Sequence, residues 1–344
     1  MNATTAPSRR VTSQGCQYDW RPVLAAALDN LSLPPVRAGW NPDVQTIAHV
    51  CAHNPDASAY AATRFDSGNA SLKAGIIAAF YEPSCEVPTS LQIRFVAYAE
   101  SCLIHEGDPA FDAAVLTLSR CAQVRGRAAV VLERCLHSDA WWHRGNAAIS
   151  LAMLGDVSAT AMQRIGQLIH DNDGNMDWSV RSSALRAIAM LGRHAHTLVP
   201  ELHLLAGRIA YTEQFSGYDG ELLANALSAT GDTRADTIGV LIEMVGRGGF
   251  GVPWAAIFAL GEIAERATLA DQTEAAMRVI AHYAESEDSK EFLDDHADRL
   301  QIAMLAIGGA DHPECRRIHA YLRSIAWLDP ARHIAPFVHI FDQH

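Results

Sequence analysis

Residues 141–155 begin Trp141-Trp142-His143-Arg144 and end Ala152-Met153-Leu154-Gly155; residues 178–192 begin Trp178-Ser179-Val180-Arg181 and end Ala189-Met190-Leu191-Gly192. The stretches are offset by 37 residues, so Trp141 falls on Trp178, Arg144 on Arg181, Ala147 on Ala184, and the closing Ala-Met-Leu-Gly on itself. The frame continues outward from this pair. A first helix ends in an apolar pair and glycine, a few polar residues follow, and a second helix starts. The corresponding glycines are Gly155, Gly192, Gly231, Gly261 and Gly308, spaced 37, 39, 30 and 47. Each is expected just past a helix end, where glycine accepts a left-handed backbone. Second helices are expected over roughly 158–170, 197–211, 233–245, 272–285 and 313–327. A period of about 40 with two helices per unit marks an α-solenoid, whose units must stack to bury their apolar faces.

The run Asp177-x-x-Val180-Arg181-x-x-Ala184-x-x-Ala187-x-x-x-Leu191-Gly192 resembles a HEAT repeat of the bacterial kind, and the preceding unit matches through Arg144, Ala147, Leu154 and Gly155, with His143 in place of the valine. The resemblance implies that the arginine reaches an aspartate of a neighbouring unit, with Asp139, Asp173 and Asp177 as candidates. Later units keep the glycine and the apolar frame but place Gly220 and Phe250 where the arginine would stand. The resemblance is good over 138–211, fair over 212–330 and weak before 90. The expected fold is all-α: a HEAT-like α-solenoid of antiparallel helix pairs with a concave groove over 138–330. An irregular helical N-terminal part over 19–137 caps it, between a flexible tail at 1–18 and a C-terminal segment at 331–344. Within the N-terminal part, helices are expected over 21–31, 42–53, 57–65 and 71–81, and regular spacing begins at Ser90.

Apolar residues make up 49% and charged residues 19%, a mixture suited to a globular protein and wrong for a disordered one. The net charge of −12 argues against a general nucleic-acid binder, which needs a basic face to displace counterions from phosphates. Lys73 and Lys290 are the only lysines, so nearly all positive charge is arginine. The seven cysteines form no CxxC pair and sit mostly in apolar helical patterns, as buried thiols of a reducing, cytoplasmic compartment do. Arg9 and Arg10 are not followed by the apolar stretch of a secretion signal, and no window approaches the length of a membrane span.

Four features compete for a functional reading. The first is the cluster Trp141, Trp142, Arg144, Trp178 and Arg181. Adjacent helical residues point about 100° apart, so both tryptophans cannot face one core, and one is expected on a surface or groove. Tryptophan and arginine dominate binding hot spots, and the expected partner-binding set is completed by Asn146, Tyr218, Phe250 and Trp254. The layout is similar to the HEAT-like alkylpurine DNA glycosylases, which carry a Trp-Trp pair, a catalytic aspartate four residues after its second tryptophan, and an arginine in the next repeat. Here that position is Asn146, an amide without the carboxylate charge.

The second feature is Gly246-Arg247-Gly248-Gly249-Phe250-Gly251-Val252-Pro253, whose backbone N–H groups at a helix start could hold an anion. An inter-repeat loop is the competing account, since a helix rather than a strand precedes it. Histidines form the third set: His49 and His53 on one helix, Asp294-Asp295-His296 with Asp298, and His105-Glu106. They do not assemble a metal set by local spacing, and no cofactor or catalytic residue is expected. The last feature lies between Gly261 and His344, where fifteen Asp and Glu face eight Lys and Arg. Gathered on the concave side, they would favour a basic protein partner. The expectation is a non-enzymatic protein-binding scaffold, adaptor or immunity-type protein using the concave face. The alternative is a nucleic-acid binder or glycosylase-like enzyme.

Overall fold

The computed structural model describes residues 19–31, 42–81, 86–103, 109–155, 157–171, 173, 179–209, 217–249 and 251–341. The tail at 1–18, and with it Cys16, Cys85, His105, Glu106, Asp177, Trp178 and Phe250, lie outside the described residues. The fold is all-helical, and the chain divides into two compact units, residues 1–90 and 91–344.

Within unit 1 stand α1 (Arg21–Leu31), α2 (Pro42–His53), α3 (Pro55–Ser67) and α4 (Ala70–Tyr81), at the positions that periodicity and proline placement suggest. Asn54 caps α3: its side chain accepts from the N–H groups of Asp56 and Ala57, and Pro55 occupies the first turn, where no N–H is required. Leu24, Leu28, Ile47, Phe65, Ile76 and Phe80 are buried in its core.

Unit 2 opens with α5 (Thr89–Cys102), α6 (Pro109–Thr117) and α7 (Arg125–Cys135). The paired units follow. First helices are α8 (Trp141–Leu154), α10 (Val180–Leu191), α12 (Gly217–Ala229), α14 (Val252–Ala264) and α16 (Glu287–Gly308). Second helices are α9 (Ala159–Leu168), α11 (Val199–Ile209), α13 (Ala235–Arg247), α15 (Thr273–Ala284) and α17 (Pro313–Ser324). Each first helix packs on the next, α8 on α10, α10 on α12, α12 on α14, α14 on α16, and the second helices form a looser row alongside. The short α18 (Pro330–His333) and α19 (Ala335–Phe341) close the C-terminal end against α16.

Glycine explains why the first row packs closely. A Cβ on Gly145 would meet Ser183 Oγ at 2.8 Å, one on Gly220 would meet Val252 Cγ2 at 2.5 Å, and one on Gly261 would meet Ala303 Cβ at 2.8 Å. Each contact joins neighbouring first helices, whose backbones approach because one partner lacks a side chain. At Gly220, where the repeat would place its arginine, a side chain would collide with Val252 of α14 as that residue now stands.

Two of the five expected caps are corrected. Gly155, Gly192 and Gly231 do take positive φ, at 67°, 57° and 71°. Gly261 is interior to α14 and serves the close contact with Ala303 instead. Gly308 is the last residue of α16, and Gly309, with φ 77°, makes the turn. The described cysteines, Cys51, Cys102, Cys121, Cys135 and Cys315, are all buried, and burial pushes the thiols of Cys121 and Cys315 up to about 12.

Candidate partner-binding face

Repetition places the starts of the first helices side by side, and most of the expected site residues belong to these starts. At the beginning of α8, Trp142 is 41% exposed, and Trp141 is half-buried with its ring edge-on to it at 5.8 Å between centroids. The next residue, His143, turns inward to donate to or accept from Ser138 Oγ (3.1 Å) and to meet the edge of Phe111. One tryptophan therefore faces solvent, as the angular argument requires. Asn146, one turn on, is half-buried.

The arginines are structural. Arg144 is buried, and its guanidinium donates to the carbonyls of Ser138 and Asp139 (both 2.9 Å), to Asp173 (2.6 Å) and to Asp171 (3.0 Å). Arg181 donates to the Ile169 carbonyl at 2.9 Å and pairs with Asp219 of α12 at 3.4 Å. Of the aspartates that the repeat resemblance suggested, Asp173 pairs through its carboxylate and Asp139 is met only at its backbone carbonyl; Asp171 and Asp219 were missed. Asp219 lies beside Gly220, whose register gave no sign that the preceding residue would receive the arginine. Burial raises the Asp219 carboxyl above its ordinary value, and Arg181 pulls against that rise.

Tyr218 is half-buried beneath the Arg186 guanidinium, 5.2 Å from its centroid. Trp254 does not belong to the surface: it is 2% exposed in α14, packed on Phe258, Tyr283 and His296. Its position follows from the all-apolar start of that helix, which buries Val252 through Ile257. His296, suggested as a member of an acidic metal set, lies among these rings, and burial lowers its pKa. His49 and His53 stack on one another, with His53 Nδ1 at 2.8 Å from the His49 carbonyl.

Sequence reasoning missed the apolar content of this row. Met153 and Met190 are 45% and 51% exposed at equivalent positions of adjacent units. Trp142 and Met153, eleven residues apart, lie on one face of α8. Ile302 of α16 is also exposed. The row is polar in part: Arg299 of α16 places its guanidinium 3.7 Å from the centroid of Phe258, in a hollow lined also by Glu262 and Glu265. The signal was present in the repeated Ala-Met-Leu-Gly, where the methionine precedes a buried leucine and so points away from the core.

The glycine loop joins α13 to α14, the inter-repeat connection rather than the anion site. Gly248, Gly249 and Pro253 form one wall of a groove of about 400 Å³, and Tyr283, Phe292, Glu287, Asp288 and Glu291 form the other. Three carboxylates make it a poor anion site. Gly251 takes φ 81° to turn into α14, and the side chain of Glu221 occupies the space its Cβ would need.

Stacked helix pairs of this kind define a HEAT-like helical-repeat solenoid. Solved structures agree: YibA of E. coli aligns over 90% of this chain and 100% of its own, with TM-score 0.52 and 14% identity. A mutant of Kap121p aligns over 93% of this chain, with TM-score 0.54 and 9% identity, the alignment covering 38% of Kap121p. These likenesses show the fold alone. No protein-family model and no curated protein matches the sequence.

Proposed function

We propose that the protein is a non-catalytic binding scaffold, cytoplasmic and adaptor-like, that holds a protein partner against its row of first helices. One observation carries the reading: within the paired helices, the exposed large apolar side chains Trp142, Met153, Met190 and Ile302 lie on first helices, and among the described residues of the second helices only Leu204 is of this kind; Ile93, Val130 and Trp327 are exposed outside the pairs. Single exposed apolar residues are ordinary, but several aligned on one row of a repeat array mark an interaction surface. Trp142 and its edge-on neighbour Trp141 supply the large rigid anchor typical of a hot spot. The arginines support this assignment by their engagement: Arg144 and Arg181 are committed to internal carboxylates and carbonyls, which leaves them poorly placed to neutralise phosphates.

The test is site-directed photo-crosslinking in the native host. A benzoylphenylalanine replacing Trp142 should yield one discrete adduct, and the same probe at Leu204 on the second row should yield none. Equal yields from both rows, or no adduct at position 142, would refute the reading.

A further inference from the structure

Sulfur is exposed at two places among the described residues, and both lie on the proposed partner face. Met153, near the end of α8, is 45% exposed, and Met190, near the end of α10, is 51% exposed. The other described methionines, Met162, Met244, Met277 and Met304, are at most 9% exposed. Met1 and Met176 lie outside the described residues. The described cysteines are all buried, and burial pushes the thiols of Cys121 and Cys315 up to about 12. A thiol oxidises through its thiolate, so burial and protonation shield these groups. A thioether has no proton to lose, and its oxidation depends on access.

The fold places the two methionines in register. They occupy equivalent positions of consecutive repeats, 37 residues apart, on helices that pack on one another. After each comes a buried leucine, Leu154 or Leu191, and then the positive-φ glycine that ends the helix. Burial of the leucine fixes the rotation of the helix and so turns the methionine outward. The repeat does not require sulfur at this position, since α12 carries Ala229 there. Trp142 stands eleven residues before Met153 on the same face of α8. An oxygen added to either sulfur would therefore put a strong acceptor into the apolar row.

We propose that Met153 and Met190 form a paired oxidation site that releases the partner when a peroxide oxidant reaches it. This rests on the scaffold reading and adds regulation to that face. A sulfur lone pair attacks one oxygen of hydrogen peroxide, and the S–O bond forms as the O–O bond breaks. The transferred oxygen passes its proton to the departing hydroxide, which leaves as water. Each methionine thus loses two electrons, and each peroxide gains them. A thiol-dependent sulfoxide reductase reverses the step, oxidising two thiols to a disulfide and releasing water. The sulfoxide is polar, and an apolar partner surface would leave its oxygen without a donor.

The experiment uses the full chain with benzoylphenylalanine at position 142, purified and treated with graded hydrogen peroxide. Catalase removes the oxidant before the chain is irradiated in desalted host extract, so the partner is not oxidised and no reductant is present. Peptide mapping by mass spectrometry follows each methionine in the same samples. Met153 and Met190 should each gain one oxygen at least about tenfold faster than the four buried methionines. The adduct yield should fall about tenfold as they do, and the two epimer-specific sulfoxide reductases with dithiothreitol should restore it. The variant Met153→Leu/Met190→Leu is read as its own ratio of treated to untreated yield, which should change less than about twofold.

Oxidation of Met162 or Met244 as fast as Met153 and Met190 would overturn the site. So would a yield unchanged after both have become sulfoxides, or a loss that the reductases do not reverse. A ratio in the leucine variant that falls as the parent's does would overturn it as well. Each of these leaves the scaffold reading standing, because the untreated chain still crosslinks; an untreated chain that gives no adduct sinks both. If the leucine variant gives no adduct before treatment, the parent's recovery with the reductases decides alone.

Discussion

At the scale of single residues, a glycine acts either through its torsion or through the room it leaves. Gly261 has no unusual torsion, yet its missing Cβ lets α14 lie on Ala303 of α16. Gly207, exposed on α11, faces nothing within 4 Å. Gly261→Ala should therefore lower stability by about 1–3 kcal/mol, the overpacking term exceeding a propensity gain of at most about 1 kcal/mol. Gly207→Ala should raise stability by about 0.4–1 kcal/mol. Urea titration of both variants distinguishes this from a uniform glycine effect, in which the two shifts would share a sign. The tryptophans divide similarly. Trp254→Ala should cost about 3–5 kcal/mol because it opens a cavity among Phe258, Tyr283 and His296. Trp142→Ala should leave unfolding within about 1 kcal/mol of the parent, and a larger loss would place Trp142 in the core.

At the scale of elements, the repeats are linked by polar bonds whose residues change while the links persist. Arg144 ties α8 to the chain after α9, Arg181 ties α10 to α12, and Arg266 ties the end of α14 to the Ser228 carbonyl of α12 at 2.9 Å. Farther along, Arg317 of α17 takes over by pairing with Glu285 at 2.5 Å. Arg144 is the most committed rung, and its truncation strands Asp173, Asp171 and two carbonyls. Arg144→Ala is expected to cost about 3–5 kcal/mol, and Arg144→Lys to recover less than half, because one ammonium nitrogen cannot replace two guanidinium nitrogens, one on the two carbonyls and the other on the two carboxylates. Thermal denaturation of the two variants decides it: a lysine variant as stable as the parent would reduce the rung to a single charge pair. This layer of the fold was legible in the sequence as far as its signals are local. The caps at Gly155, Gly192 and Gly231 and the helix pairs follow from spacing, and the resemblance to a HEAT repeat put Asp173 among the candidate partners of the arginines. The roles of Gly261 and Asp219 and the burial of Trp254 depend on a neighbouring helix at a distance the repeat phase does not encode. The groove required the loop after α13 to meet the start of α16, two elements about 40 residues apart.

At the scale of the whole molecule, mild acid should weaken the fold through His203 and His296. His203 and His296 are both held below the ordinary imidazole value of 6.5, first by burial and then by the nearby charges of Arg234 and Arg299 respectively, while neighbouring aspartates pull the other way. A group whose folded pKa is depressed binds its proton more readily in the unfolded chain. The stability these histidines contribute is thus fully present above 6.5 and is lost as the pH falls below it towards their folded values. Two carboxyls oppose this. Burial raises Asp219 and Glu221 above 3.8 and 4.5, so they favour the folded state as protons bind to them above those values. The melting temperature should therefore decline as the pH is lowered from about 7.5 to about 5.5, the range in which histidine changes charge. His203→Gln/His296→Gln should flatten that decline, since glutamine can still meet Thr237 Oγ1, to which His203 Nε2 bonds at 2.7 Å, without titrating. A double variant that follows the parent curve through that range would assign the acid sensitivity to other groups and remove the two half-buried imidazoles from the account.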